Sequence, residues 1–277
     1  MIAVTGATGG LGGRVARLLA DRGVEQRVIV RDPARAPELR GATRAPPATY
    51  EDRQAMRTAL EGVDTLYLVS AAEEERRMDA HKTAIDAALD AGVEHIVYTS
   101  FLGASPDATF TFARDHFHTE QHIRGAGVNF TFLRNSLYLD FIPRFVGEDG
   151  VIRGPAGDGR VAGVARDDSA DVAVAVLVAP GDHDGRTYEL TGPEALTMAE
   201  MAAKLSAASG REVRYVPETM EEARASRASS GAPGWMIEGW VTTYAAIAAG
   251  ELDTVTDAVE HLAGHPPQSL DALLAQA

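Results

Sequence analysis

Met1-Ile2-Ala3-Val4-Thr5-Gly6-Ala7-Thr8-Gly9-Gly10-Leu11-Gly12 is the stretch that decides the fold. The apolar opening reads as a buried strand. Leu11 to Arg22 follows as a helix, with Val15, Leu18 and Leu19 on one face. Glycines at 6, 9 and 12 span the turn between them. Gly6 permits the tight turn, Gly9 lets backbone approach a pyrophosphate, and Gly12 permits close helix-to-strand packing. Thr8, Gly10 and Leu11 complete the loop. A helix starting there offers unpaired N–H groups and a partial positive charge to a phosphate. The alternative is a glycine-rich surface turn. The position after the first strand of an α/β chain favours a dinucleotide loop.

Outward from this stretch, strands and helices alternate. Gln26 to Val30 reads as a strand, Ala34 to Leu39 as a short helix, and Ala42 to Tyr50 as a poor edge strand interrupted by Pro46-Pro47. Arg53 to Glu61 is helical, Thr65 to Val69 strand, Glu73 to Ala91 helix, His95 to Thr99 strand, Phe112 to Arg124 helix and Val128 to Leu133 strand. Such alternation predicts an α/β Rossmann fold, a doubly wound parallel sheet, with a small α+β C-terminal lobe. The expected organisation is a dinucleotide-binding domain over 1–136, with 167–180 packing back on it, and a substrate lobe over 137–166 and 181–277. Gly147 to Gly163 reads as a loop or hairpin, Ser169 to Val178 as an apolar helix, and Thr197 with Glu200 as a capping box.

Composition narrows the function. Net charge is -14, which opposes nucleic-acid binding. Cysteine is absent, so thiolate chemistry and disulfides are excluded. No apolar run has membrane-spanning length, and no basic segment precedes an apolar one, so the expectation is a cytoplasmic protein. Lysine occurs only at Lys82 and Lys204 among 26 basic residues.

Arg31 ends the second strand. An acidic residue there would bond the adenosine ribose of NAD, whereas arginine suits the 2′-phosphate of NADP. Asp32 comes one residue late and precedes Pro33, so it reads as a helix start. The alternative for Arg31 is a solvated surface charge. NADP(H) is favoured, with NAD(H) left open, and neither flavin nor metal is expected.

Further segments carry a resemblance. Ile2 to Gly9, Gly62-Val63-Asp64, Ala91 to Ser100 and Phe130-Thr131-Phe132-Leu133-Arg134-Asn135 resemble the atypical short-chain dehydrogenase/reductases. Thr187 to Gly192 and Leu196 to Glu200 fit the NmrA-like branch, which includes NADPH-dependent quinone reductases and triphenylmethane reductases. The resemblance implies that Ser70 and Ala71 pass near the dinucleotide. It also implies that Thr99, Ser100 and Phe101 lie beside its nicotinamide half, and that Asn135, Leu137 and Tyr138 line the site. Relatives often carry an acidic residue where Thr49 stands, so Tyr50 or backbone would have to meet the adenine.

Short-chain reductases commonly use a Tyr-x-x-x-Lys pair, in which lysine lowers the tyrosine pKa. Here Tyr50, Tyr67, Tyr98, Tyr138, Tyr188, Tyr215 and Tyr244 are followed four residues on by Gln54, Ala71, Leu102, Ile142, Gly192, Thr219 and Ala248. None is lysine. Phe112 and His116 stand at the matching helical positions. A ketone gaining hydride needs a proton donor, but a quinone spreads its charge into a phenolate and a carbocationic dye is neutralised. The expected reaction is therefore hydride transfer from NADPH to a small quinone-like or other conjugated aromatic acceptor, needing mainly positioning. His116 and Tyr138 are the candidate donors, and a surface or core histidine is the alternative for His116. Two further readings stand beside this one: an NADP(H)-binding redox sensor of NmrA type, and a biosynthetic carbonyl or imine reductase. His118 and His122, at i, i+4 with Asp115 nearby, lack a convincing third metal ligand. Trp235, Met236, Ile237 and Trp240 read as core or dimer packing, or as a lid. A monomer and a homodimer are both compatible with the sequence.

Overall fold

A computed structural model describes residues 1–276. The elements run β1 (Ile2–Thr5), α1 (Gly12–Asp21), β2 (Gln26–Ile29), β3 (Ala42–Arg44), α2 (Arg53–Ala59), β4 (Thr65–Leu68), α3 (Arg77–Asp90), β5 (His95–Phe101), α4 (Thr111–Gly125) and β6 (Asn129–Asn135). Then come β7 (Val151–Gly154), β8 (Arg160–Val161), α5 (Arg166–Val178), β9 (Arg186–Leu190), β10 (Leu196–Thr197), α6 (Met198–Ser209), β11 (Arg214–Pro217), α7 (Met220–Ala228), α8 (Gly234–Ala248), α9 (Ala258–Ala263) and α10 (Leu270–Leu274).

Seven strands form one sheet in the order β3-β2-β1-β4-β5-β6-β9. β1 pairs in parallel with both β2 and β4, and β4 with β5. The order reverses direction at β1, so the loop after β1 opens at a topological switch point, where α/β sheets take ligands. Ala3, Val4, Leu66, Tyr67, Leu68, Ile96, Val97 and Tyr98 are fully buried, because helices cover a parallel sheet on both faces. No helix among the described residues is long and apolar enough to cross a membrane.

The chain divides into two compact units. One comprises Met1–Ser100, Asp115–Arg134 and Arg166–Tyr188; the other comprises Phe101–Arg114, Asn135–Ala165 and Glu189–Ala277. Phe101–Arg114 thus groups with the second unit, although the sequence reading put it inside 1–136. In that second unit β7 pairs in parallel with β11, and β8 antiparallel with β10. α6 starts from the expected capping box: Thr197 Oγ1 accepts the Glu200 N–H at 3.1 Å, and Glu200 Oε2 accepts the Thr197 N–H at 2.8 Å.

Some boundaries differ from expectation. The helix expected over Ala34 to Leu39 is a single 3-10 turn, Pro33–Arg35, because Pro37 denies a longer helix its N–H. α3 begins at Arg77 rather than Glu73, leaving 73–76 outside the helix. The stretch read as a loop or hairpin near Gly147 to Gly163 opens on a tight hairpin, in which Val146 bridges Ile152 antiparallel, and it also holds β7 and β8, whose ladder partners β11 and β10 lie far away in the chain.

Candidate functional site

β1 delivers the glycine loop and α1 leads away from it. Gly6 has φ +61°, a left-handed conformation that only glycine adopts cheaply, and its carbonyl accepts the Gly9 N–H at 2.8 Å. Gly13 N–H bonds Gly9 O at 3.1 Å, while Arg14 and Val15 N–H both bond Leu11 O at 3.0 Å. The N–H groups of Gly10, Leu11 and Gly12 have no protein acceptor among the described residues. Leu11 stands at the N-cap, where it offers no side-chain cap, and the first turn of α1 carries no acid. A helix start left bare in this way is suited to an anion.

Gly12 has no room for a side chain. An added Cβ would lie 2.5 Å from Gly6 O and 2.6 Å from Thr5 O. At Gly9 the nearest atom would be Gly6 O, at 3.2 Å. At Gly10 a Cβ would meet the guanidinium of Arg166, which lies against the loop. Arg14 Nη1 donates to Gly10 O at 2.6 Å, and Arg14 Nε is paired with Asp167.

This loop walls a pocket of about 270 Å³. Gly6, Thr8, Gly9, Gly10, Leu11, Gly12, Arg31, Ser70 and Ala71 all line it. So do Thr49 and Tyr50, which the resemblance set near the adenine, and Thr5, Val30 and Val69, which the sequence reading did not place among the cofactor residues. Arg31 is exposed and makes no ion pair or side-chain hydrogen bond among the described residues. Asp32 turns away to cap the 3-10 turn, accepting Ala34 N–H at 3.0 Å, as its position before Pro33 suggested. Neutral glycine backbone, a bare helix start and one solvated guanidinium fit a phosphorylated dinucleotide.

The pocket wall Val69-Ser70-Ala71 is held by side chains. Thr5 Oγ1 accepts Val69 N–H at 2.9 Å, and the Tyr50 hydroxyl lies 2.6 Å from both Thr5 Oγ1 and Val69 O. His81 Nε2 accepts Ala71 N–H at 2.8 Å, and Arg77 Nε donates to Ala71 O at 3.1 Å. Arg77 and His81 are i, i+4 on α3, so one helix face presents both. The Tyr50 hydroxyl is thus engaged with the wall, although the sequence reading offered this residue to the adenine.

α4 turns a polar stripe inward. Phe112, His116, Thr119, Glu120 and Ile123 recur at helical spacing and are all buried. Each polar member has a partner. Ser100 Oγ donates to Glu120 Oε1 at 2.6 Å, and Arg134 grips both Glu120 oxygens at 2.8 and 2.7 Å. Thr119 Oγ1 meets His81 Nδ1 at 2.9 Å. His116 Nε2 lies 3.0 Å from Arg77 Nη2, and its Nδ1 lies 2.9 Å from Tyr98 Oη.

These contacts fix the His116 tautomer. A guanidinium can only donate, so Nε2 accepts from Arg77 and the single ring proton sits on Nδ1, facing Tyr98. Burial, then the Arg77 charge, hold the imidazole well below its usual titration range. The one ring proton is therefore directed at Tyr98. His116, expected as a donor or as a core histidine, is buried with both ring nitrogens bonded to Arg77 and Tyr98. Thr99 Oγ1 donates to Tyr67 Oη at 3.0 Å, so Thr99 and Ser100 also direct their hydroxyls at protein groups.

Phe101, Asn135 and Tyr138 belong to the second unit. Phe101 meets Phe110 edge-on at 5.0 Å, and Phe112 meets Trp235 at 6.1 Å. Tyr138 packs against Phe141 at 6.0 Å and is half-buried. Trp235, Met236, Ile237 and Trp240 lie on α8, all half-buried. His122 Nε2 bonds Asp86 Oδ1 at 2.8 Å, and no group of three metal-ligating side chains occurs among the described residues.

Comparison with known proteins places these features. Residues 6–180 match a family described as NAD(P)H-binding. An NAD(P)H azoreductase of Xenophilus azovorans is 34% identical over 274 residues, covering 97% of this chain and 95% of the relative. The crystal structure of the NADPH-dependent quinone oxidoreductase QOR2 of Escherichia coli in complex with NADPH is similar at a TM-score of 0.90, with 34% identity over 100% of this chain and 99% of that one. The Citrobacter sp. triphenylmethane reductase in complex with NADP(H) gives a TM-score of 0.88, with 33% identity and full coverage of both chains.

Proposed function

Because the chain belongs to the NAD(P)H-binding family, on its NmrA-like branch, we propose that it is a cytoplasmic NADPH-dependent oxidoreductase that reduces quinone-like or other conjugated aromatic acceptors. The observation that carries this reading is the bare glycine loop and helix start sharing one pocket with Arg31. Gly10, Leu11 and Gly12 N–H groups would hold the pyrophosphate, and Arg31 the 2′-phosphate. When bound, the nicotinamide supplies the hydride. The chain's own contribution is to bind, orient and exclude water.

The acceptor class follows from proton bookkeeping. No Tyr-x-x-x-Lys pair exists, and the imidazole at the matching position is committed to Arg77 and Tyr98. Acceptors that tolerate the loss of a strong acid are those whose reduced form spreads its charge. Tyr138 remains the candidate that could pass a proton to a substrate oxygen. The named activities of the relatives, on azo, quinone and triphenylmethane compounds, belong to that acceptor class.

The test is NADPH oxidation with menadione or benzoquinone, followed by loss of absorbance at the nicotinamide band. Acceptor-dependent turnover supports the proposal. Tight NADPH binding with no turnover across quinone, azo and triphenylmethane acceptors would replace it with a dinucleotide sensor.

A further inference from the structure

Ala71 ends the pocket wall, and its peptide groups are clamped on both sides by buried side chains. His81 takes its N–H and Arg77 holds its carbonyl. Arg77 is 4% exposed and His81 0%. Behind Arg77 stands His116, 5% exposed, which accepts Arg77 Nη2 at 3.0 Å. Behind His116 stands Tyr98, fully buried on β5. Behind His81 stands Thr119, whose hydroxyl donates a hydrogen bond to Asp115 O at 2.8 Å. Two residues of α3, each backed by one of α4, thus hold the two peptide groups of Ala71, with Arg77 and His116 39 positions apart in the chain.

A buried guanidinium is costly unless its donors are satisfied with good geometry. A structure needing only to join α3 to α4 could use apolar side chains. The arrangement instead spends a charged group on the carbonyl of a pocket-lining residue. We propose that Arg77, His81 and His116 are positioning residues for the dinucleotide: His116 orients Arg77, and Arg77 with His81 fixes the Ala71 backbone that walls the cofactor pocket. This rests on the reading of that pocket as the NADPH site. It assigns the histidine at the proton-relay position to cofactor affinity rather than to proton transfer.

Three quantities test it: NADPH affinity of the purified protein by calorimetry without acceptor, the melting temperature of the unliganded protein, and kcat for menadione at saturating NADPH. His116→Leu removes the ring acceptor facing Arg77 Nη2. His116→Gln restores an acceptor oxygen. The expected result is that H116L weakens NADPH binding about tenfold or more, as for loss of a hydrogen bond to a charged group. Its kcat should stay within about threefold of the parent, and H116Q should recover most of the affinity. H116L with parental affinity overturns the proposal, even if its melting temperature falls, because that pattern is a structural role alone. Unchanged affinity with kcat reduced about a hundredfold also overturns it and restores the proton-donor role. Should H116L not fold, His81→Asn, which withdraws the acceptor from Ala71 N–H, is read by the same criteria. Parent protein that binds no NADPH refutes the pocket reading itself, and this proposal with it. Parent that binds while H116L binds equally well refutes the positioning role alone.

Discussion

Substituting Gly12 by alanine separates packing from ligand binding at the glycine loop. Gly12 is the first residue of α1 and its φ is not positive, so alanine would meet no backbone strain there. On propensity alone a helical Gly→Ala change gains about 1 kcal/mol. The obstacle is steric. The new Cβ would lie 2.5, 2.6 and 2.7 Å from Gly6 O, Thr5 O and Gly6 C, all backbone atoms of the β1 turn. Relief to an ordinary contact requires a shift of roughly 0.9 Å between the start of α1 and that turn, at the upper end of the ~1–3 kcal/mol seen for overpacking. The net expectation is destabilisation by about 2 kcal/mol, accompanied by weaker NADPH binding because the helix start moves. Gly10→Ala is the control. Its Cβ would meet only Arg166, whose flexible side chain can swing aside, so stability should change by less than about 1 kcal/mol. Gly9→Ala, with its nearest atom at 3.2 Å, should lie between them. Urea unfolding of the three unliganded variants, with NADPH titration of each, measures both quantities. Gly12→Ala as stable as the parent, or less damaging than Gly10→Ala, would refute the reasoning.

Other expectations follow from the same geometry. Arg31→Ala should weaken NADPH by about tenfold or more while leaving NADH nearly unchanged; equal effects on both cofactors would remove the 2′-phosphate assignment. Arg134→Met leaves Glu120 buried without its bidentate partner and should cost about 3–5 kcal/mol in chemical denaturation, whereas a change below 1 kcal/mol would mean that the pair does not hold the fold together. Burial, aided by the Arg77 charge, lowers the His81 pKa from 6.5 to about 3. The unfolded chain then binds more protons than the native one between those values, so stability is full above pH 6.5 and falls as pH drops. At pH 5 the loss from this residue is about 2 kcal/mol, from ~1.36 kcal/mol per pH unit over 1.5 units. His81→Leu should flatten the dependence of the melting temperature between pH 7.5 and 5. Tyr138→Phe should lower turnover of carbonyl acceptors more than that of menadione; a uniform loss would make Tyr138 a binding contact.

Tertiary structure changed some readings more than others. The glycine spacing and Arg31, which line one pocket, were legible because each sits at a strand end, where an α/β sheet presents backbone to a ligand, whereas Ser70-Ala71 came from the family resemblance alone. His116 was legible as a position but not as a role. Its i, i+3 and i, i+4 spacing with Thr119 and Glu120 marks one helix face, and that signal was available. Which way the face turns was not. The two histidines of the clamp lie 35 residues apart (116 − 81) and share no motif.

Local physical chemistry let the sequence alone determine the β1–α1 loop, the alternation of strands and helices, the α6 capping box, and the lack of a Tyr-x-x-x-Lys acid. Each depends on residues within a turn or two of one another. Only the tertiary structure decided that the imidazole proton faces Tyr98, that Glu120 belongs to Arg134 and Ser100, and that Arg77 reaches the pocket wall. A hydrogen bond depends on tenths of an ångström between groups from different elements. The glycine loop is therefore legible in the sequence by itself, whereas a histidine's surroundings depend on the partners that packing brings to its two nitrogens.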